Sequence, residues 1–244
     1  MPQINYNDGP QGFRDELHHG STTAWPSVLA FGQSWDVELV EEWGQKMGSE
    51  FKNKGAGVQL GPGMNVMRVG VNGRDFEYVS GEDPIVGATL VEPLVRGIQS
   101  NGILANMKHF VNNNQEINRI GQSANIDERT QVEMYMPPFE AAIKAEVGSA
   151  MCSYNKVNHE WSCANNSTLN HHLREVMGFE GYVMSDWGAV HSRAPDYLPF
   201  GLDQEQQLHS LGPTYFTLDN IIDDVQSGKL PIELVDRSLH RITK

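Results

Sequence analysis

Four short apolar runs, nearly all followed by polar or aromatic residues and each followed by a helical pattern, constrain this chain most: Val58 to Leu60, Ile103 to Met107, Ala150 to Ser153 and Tyr182 to Met184. Runs this short, bounded by turn residues, read as buried strands rather than helices. A presumed first strand, Ile4 to Tyr6, leads into Asn7-Asp8-Gly9-Pro10. Strands alternating with helices imply a parallel sheet with helices outside it, because a parallel crossover needs a connection long enough to hold a helix.

The helical segments carry their own start and stop signals. From Asp36, Leu39 or Val40, Trp43, Met47 and Phe51 recur at helical spacing, and Gly55 stands where that helix should stop. Asp83 caps and Pro84 opens a second helix with an apolar face through Leu90, Leu94 and Ile98 to Gly102. A third starts at Asp127, and Pro137-Pro138 should break it with a bend, since an interior proline loses a backbone bond. A fourth begins at Asn166 or Ser167, carries Leu169, Leu173 and Met177, and ends at Gly178; two more are expected over 218–227 and 231–242. No repeat, low-complexity tract or linker interrupts residues 1–244, which read as a single α/β domain.

Composition removes several function classes. The 244 residues are 39% hydrophobic and 20% charged, ordinary for a globular protein, and no run approaches the ~18 apolar residues of a membrane helix. The start, MPQINYNDGP, lacks the basic and apolar segments of a signal peptide. With 18 basic against 31 acidic residues the net charge is −13, which repels nucleic-acid phosphates and anionic lipid. Neither nucleic acid nor membrane is an expected partner. Cys152 and Cys163 are near enough in sequence to bridge a loop in an oxidising compartment, and Asn165 and Asn166 head two overlapping glycosylation triplets. No His/Cys/Asp/Glu group shows metal spacing, His171 and His172 being adjacent, and no phosphate loop, GxGxxG or GxSxG occurs. No cofactor and no metal are expected.

Ligands of parallel α/β folds gather at the carboxyl ends of strands. Here those ends offer Asp8, Gly61-Pro62-Gly63, Lys108-His109, Tyr154 and Asp186-Trp187. Such a set suits a polar, hydroxyl-rich ligand. Most of these, like Arg74 and Asn112-Asn113-Asn114, also have a plainer reading. Asp186 is a helix cap or turn former, or a working carboxylate. Lys108 is a snorkelling lysine and His109 a core histidine, or both bind ligand hydroxyls. Asp8 lies in a common turn composition. Arg74 pairs with Asp75 or Glu77 on a loop, or reaches the ligand. Trp187 is core, or a platform for the apolar face of a sugar ring. Asn112-Asn113-Asn114 are loop, or orient neighbours.

In order along the chain, NDGPQGFR, LGPGMNV, GRDFEYVSGEDP, KHFVNNNQEINR, DERT, MPPFEAAI, MCSYNKVN and GYVMSDWGAVHS resemble the N-terminal barrel domain of glycoside hydrolase family 3, the β-glucosidase group. The resemblance covers Asn7 to Lys244 and implies a (β/α)8 TIM-like barrel, incomplete at the N-terminus where little precedes the DGP motif. It implies retaining hydrolysis of β-D-glucosides with Asp186 as nucleophile. Asp8, Arg14, Arg74, Lys108, His109, Arg119 and Tyr154 would line the sugar subsite, Trp187 would stack beside it, and Arg and Lys nearby would keep Asp186 ionised. The acid/base normally comes from a following α/β sandwich domain, expected to be missing after VDRSLHRITK and to act as partner. KHFVNNNQE lacks the KHFPGHG stretch of the hexosaminidase branch, favouring glucoside, with xyloside as the alternative. A non-catalytic sugar-binding fragment is the other alternative. Two departures stand out: Val69-Gly70 replaces the usual Asp-Pro, and residues 190–216 are unusual apart from GLDQE, so the entrance should differ. The cysteines resemble the disulfide of fungal-type secreted members, implying an extracellular setting.

Overall fold

Asp36 begins the first long helix as its sequence dictates, its Oδ1 accepting the Leu39 N–H at 3.0 Å. The computed structural model describes residues 4–244. Two compact units interleave along the chain. The first comprises 4–108, 114–117 and 127–148; the second comprises 109–113, 118–126 and 149–244.

The first unit holds β1 (Tyr6–Asp8), α1 (Val28–Gly32), α2 (Val37–Asn53), β2 (Val58–Leu60), α3 (Pro84–Gln99), most of β3 (Leu104–Phe110), α4 (Glu128–Thr130) and α5 (Pro137–Lys144). β1, β2 and β3 are parallel, with Asp8 opposite Leu60 and Val58 opposite Leu104. Val40, Trp43, Met47 and Phe51 on α2 and Leu90, Leu94 and Ile98 on α3 are buried, whereas Leu39 faces outward. The two helices meet at glycines: a Cβ on Gly44 would lie 2.7 Å from the Leu94 carbonyl oxygen, and one on Gly97 would lie 2.4 Å from that of Glu41. Asp83 Oδ1 caps α3 through Ile85 N at 2.7 Å, with Pro84 at the first position.

Three boundaries differ from expectation. β1 is Tyr6–Asp8 rather than 4–6, because pairing with β2 carries the strand to Asp8, which is therefore a strand end and not part of the following turn. β3 continues through Lys108 and His109 to Phe110, so that pair lies inside the strand. The helix expected from Asp127 widens over Gln131–Tyr135, where Met136 N bonds the Gln131 carbonyl five residues back. Pro137 and Pro138 then sit in the first turn of α5, where a missing N–H costs nothing.

The second unit holds the end of β3, β4 (Ser123–Ala124), β5 (Ser149–Cys152), β6 (Lys156–Val157), β7 (Glu160–Trp161), β8 (Tyr182–Ser185), α6 (Leu218–Gln226) and α7 (Ile232–Thr243). β5 and β8 are parallel, with Cys152 opposite Ser185, and Ser153 N bonds Phe110 O at 2.9 Å. The helix over Ser167–Val176 is also wide-turned, and its capping oxygen is that of Asn165, which accepts the Thr168 N–H at 3.0 Å. Asn165 heads the first of the two glycosylation triplets. Its side chain is instead buried, with Nδ2 bonded to Val157 O, so only the exposed Asn166 presents an acceptor in the folded chain. Leu198, Leu230 and Ala194 form a core that α6 and α7 cover with Val225, Leu234 and Val235. Among the described residues, apart from the two-residue β4–β6 pair, the parallel strands are β1, β2, β3, β5 and β8, fewer than the eight of a closed eight-fold barrel.

Candidate active site

Within the first unit, β1 and β3 place one ion pair that local sequence could not reveal. Lys108, almost wholly buried, extends its Nζ to Asp8 Oδ1 at 3.1 Å, while the Asp8 side chain stays 49% exposed. An ammonium held in the interior needs such a carboxylate partner. Burial pulls the Asp8 carboxyl up, but the charge and hydrogen bond of Lys108, with Arg74 and Arg14, outweigh it and hold the group below the usual range. Asn7 fixes the loop that brings Arg14 near, accepting Arg14 N at 2.9 Å and donating to Arg14 O at 3.0 Å. Arg14 itself is largely exposed, 3.8 Å from Asp8 and 2.8 Å from Glu16.

Arg74 does not sit on an open loop. Its guanidinium is mostly buried, bonding Glu77 Oε2 at 2.7 Å and lying 3.6 Å from Glu116. Burial opposes its charge, yet Tyr78, Glu77 and Glu116 raise the group above its ordinary value and keep it charged. Asp75, the other expected partner, accepts from Asn72 Nδ2 at 2.7 Å instead.

The second unit carries Asp186 directly after β8. It is buried, and its carboxylate is held from both sides: Oδ1 accepts the Trp187 N–H at 2.8 Å, and Oδ2 lies 3.5 Å from Nε2 of the buried His109. The Asp186 N–H donates to Cys152 O at 3.1 Å, tying it to β5. Cys152 and Cys163 are disulfide-bonded, with Cα atoms 5.1 Å apart. Buried Tyr154 donates its hydroxyl to Trp187 O at 2.8 Å, and Arg119 lies over the Tyr154 ring at 4.1 Å. Trp187 is half-buried. Asn112 and Asn113, adjoining β3, are buried rather than surface loop. Adjacent His171 and His172 differ in exposure, and His171 pairs with Glu175 at 3.1 Å.

The structure thus groups Asp8, Arg14, Arg74 and Lys108 in one unit and His109, Arg119, Tyr154, Asp186 and Trp187 in the other. Residue-by-residue reasoning missed Asp203. Fully buried in side chain, it accepts from Val183 N at 2.9 Å, Arg174 at 2.8 Å and Arg241 at 2.9 Å, anchoring β8 two residues before its end. Burial pushes the Arg174 guanidinium down to about 10, opposed by Asp203 and assisted by Arg241 and Arg237. The signal was present in GLDQE, whose Glu205 also accepts the backbone N–H groups of Tyr215 and Phe216 and pins the segment leading into α6. Burial raises the Glu205 carboxyl, with those two N–H groups pulling the other way.

Proteins of known kind are similar to this chain in sequence and in fold. The chain is 42% identical to a β-glucosidase of Rhizobium radiobacter over 246 residues, covering 99% of this chain and 29% of that protein. It is 38% identical to thermostable β-glucosidase B of Acetivibrio thermocellus, covering 100% and 33%. Among solved structures it superposes on DesR, a β-glucosidase from Streptomyces venezuelae in complex with D-glucose, with TM-score 0.93 and 36% identity, covering 100% of this chain and 32% of that one. The chain therefore spans about a third of the length of the curated relatives it matches. The model of the glycosyl hydrolase family 3 N terminal domain matches residues 1–244, and the chain belongs to that family.

Proposed function

We propose that this chain carries the nucleophile of a retaining β-glucosidase. Asp186 attacks the anomeric carbon, the bond to the aglycone oxygen breaks, and an acid/base carboxylic acid protonates that oxygen. The same group, now a base, takes a proton from water, which displaces Asp186 from the glycosyl ester. The observation that carries this reading is the orientation of Asp186: buried at the end of β8, one oxygen on a backbone N–H and the other facing His109. A carboxylate so held is already aimed, and little reorganisation is left for the reaction.

Asp8, Lys108, Arg74 and Arg14 are assigned to glucose hydroxyls by the family resemblance, with His109, Arg119, Tyr154 and Trp187 around the nucleophile. We further propose that residues 1–244 act as one catalytic domain of barrel type, that the acid/base comes from residues outside these 244, as the relatives' greater length supports, and that the protein works extracellularly, which the Cys152–Cys163 disulfide supports.

A 2-deoxy-2-fluoro glucoside with a good leaving group tests the nucleophile without needing the acid/base. Intact-mass analysis is expected to show one fluoroglucosyl adduct, mapped by peptide digestion to Asp186 and absent from Asp186→Ala. Glucose binding with no adduct would favour the sugar-binding alternative, and faster labelling by the 2-fluoro xyloside would favour a xylosidase.

A further inference from the structure

Trp35 is the most exposed tryptophan side chain described, at 73% of its full accessibility, and its backbone sits at φ +57°. Solitary surface apolar residues are common. A bulky residue held in the left-handed region is not, because its Cβ crowds the backbone there, and such strain persists where surrounding structure imposes it. The surroundings here do so. Asp36 caps α2 on one side, Ser34 Oγ donates to Phe31 O at 2.6 Å on the other, and Phe31 stacks on buried Trp43 at 3.9 Å.

The strained ring lines a cavity of about 390 Å³, within the range of small-ligand sites. Gln33, Met67, Ser80, Glu82 and Asp83 line it too, all in the first unit. Ser80 spends its hydroxyl on Met64 O and Asp83 caps α3. The Glu82 carboxylate and the Gln33 amide bond no described residue. An aromatic plate beside an open carboxylate and an open amide matches a pyranose with equatorial hydroxyls: its axial C–H face stacks on the indole, while its edge hydroxyls donate to Glu82 and exchange bonds with Gln33.

We propose that this cavity is a second carbohydrate site, binding a gluco-configured oligosaccharide by stacking on Trp35. It uses none of the residues assigned to hydrolysis and stands whether or not Asp186 is the nucleophile.

The test is calorimetric titration of cellotetraose into the full chain carrying Asp186→Asn, which prevents turnover through that carboxylate. Saturable binding is expected. Trp35→Asn should weaken it about tenfold, the loss of one stacking contact. Asparagine tolerates the left-handed backbone, so the fold survives, as an unchanged circular dichroism melt would verify. Trp35→Phe, which keeps a smaller ring, should retain binding within a few-fold, and Glu82→Gln should weaken it. Absence of saturable heat, or equal affinity with and without Trp35→Asn, overturns the proposal. Failure of the fluoroglucoside to label Asp186 would leave this titration unaffected, so the two readings fail separately.

Discussion

Asp8 ends β1 and Asp186 directly follows β8, yet their carboxylates are held by different physics. Asp8 is half open to solvent and lies among cations, with Lys108 at 3.1 Å, Arg14 at 3.8 Å and Arg74 also acting on it. Asp186 is buried and held by a backbone N–H and an imidazole, with an aromatic ring next in sequence. Charge positions the first; directional hydrogen bonds position the second. Coulombic holding tolerates small displacements and responds to pH and salt. Hydrogen-bond holding fixes an angle and fails when a support moves. An acceptor for hydroxyls suits the former, and a nucleophile that must meet one carbon suits the latter.

The largest test of this contrast is Asp186→Asn, expected to lower turnover of an aryl β-glucoside on the order of 10⁴-fold in steady-state kinetics while leaving the melting transition in place. An effect below tenfold would mean that the hydrogen-bonded carboxylate is not the nucleophile. Next comes Asp203→Asn, which strips the shared partner from buried Arg174 and Arg241 and disturbs β8 beneath Asp186. Breaking a buried pair of this kind costs about 3–5 kcal/mol, to be read in urea unfolding, and should be accompanied by slower labelling of Asp186.

The pH response of the Asp8 cluster is smaller. Its folded-state pKa is lowered below the unfolded value of 3.8, so its stabilisation is fully present above that value and is lost as pH falls through the folded-state pKa. Asp8→Asn should therefore flatten the acid limb of the stability profile below about pH 4 and change little near neutrality beyond the loss of the Lys108 pair. An unchanged acid limb would count against the cationic holding of Asp8. Smallest is Arg14→Ala, which removes one exposed, distant partner and should shift stability by less than about 0.5 kcal/mol. A larger shift would show that the pair is better shielded than its exposure indicates.

Much of this was legible along the chain. Asp36 and Asp83 cap the helices they were expected to cap, Gly55 lies just past the end of α2 with φ +86°, and β2, β5 and β8 end within one position of their expected limits, whereas β1 ends two residues and β3 three residues later than expected. Caps and periodicity depend on neighbours three or four residues away, so they are written locally. The widened turn at Gln131–Tyr135 was not legible, because it depends on how α5 seats its prolines against α3, where a Cβ on Gly87 would lie 2.9 Å from Pro138 Cγ. Asn165 likewise looked like a glycan acceptor until burial gave its amide to a cap and a carbonyl.

By itself the sequence determined the family, the α/β alternation, the disulfide partners and the identity of the nucleophile candidate, since each is fixed by residue type and order. Tertiary structure alone decided that Lys108 meets Asp8 across 100 positions, that Arg74 is buried between two glutamates, that Asp203 anchors β8, and that Trp35 stands strained beside an open carboxylate. Those facts arise from long-range burial, which pairs charges and exposes rings according to what packs around them rather than what precedes them in the chain.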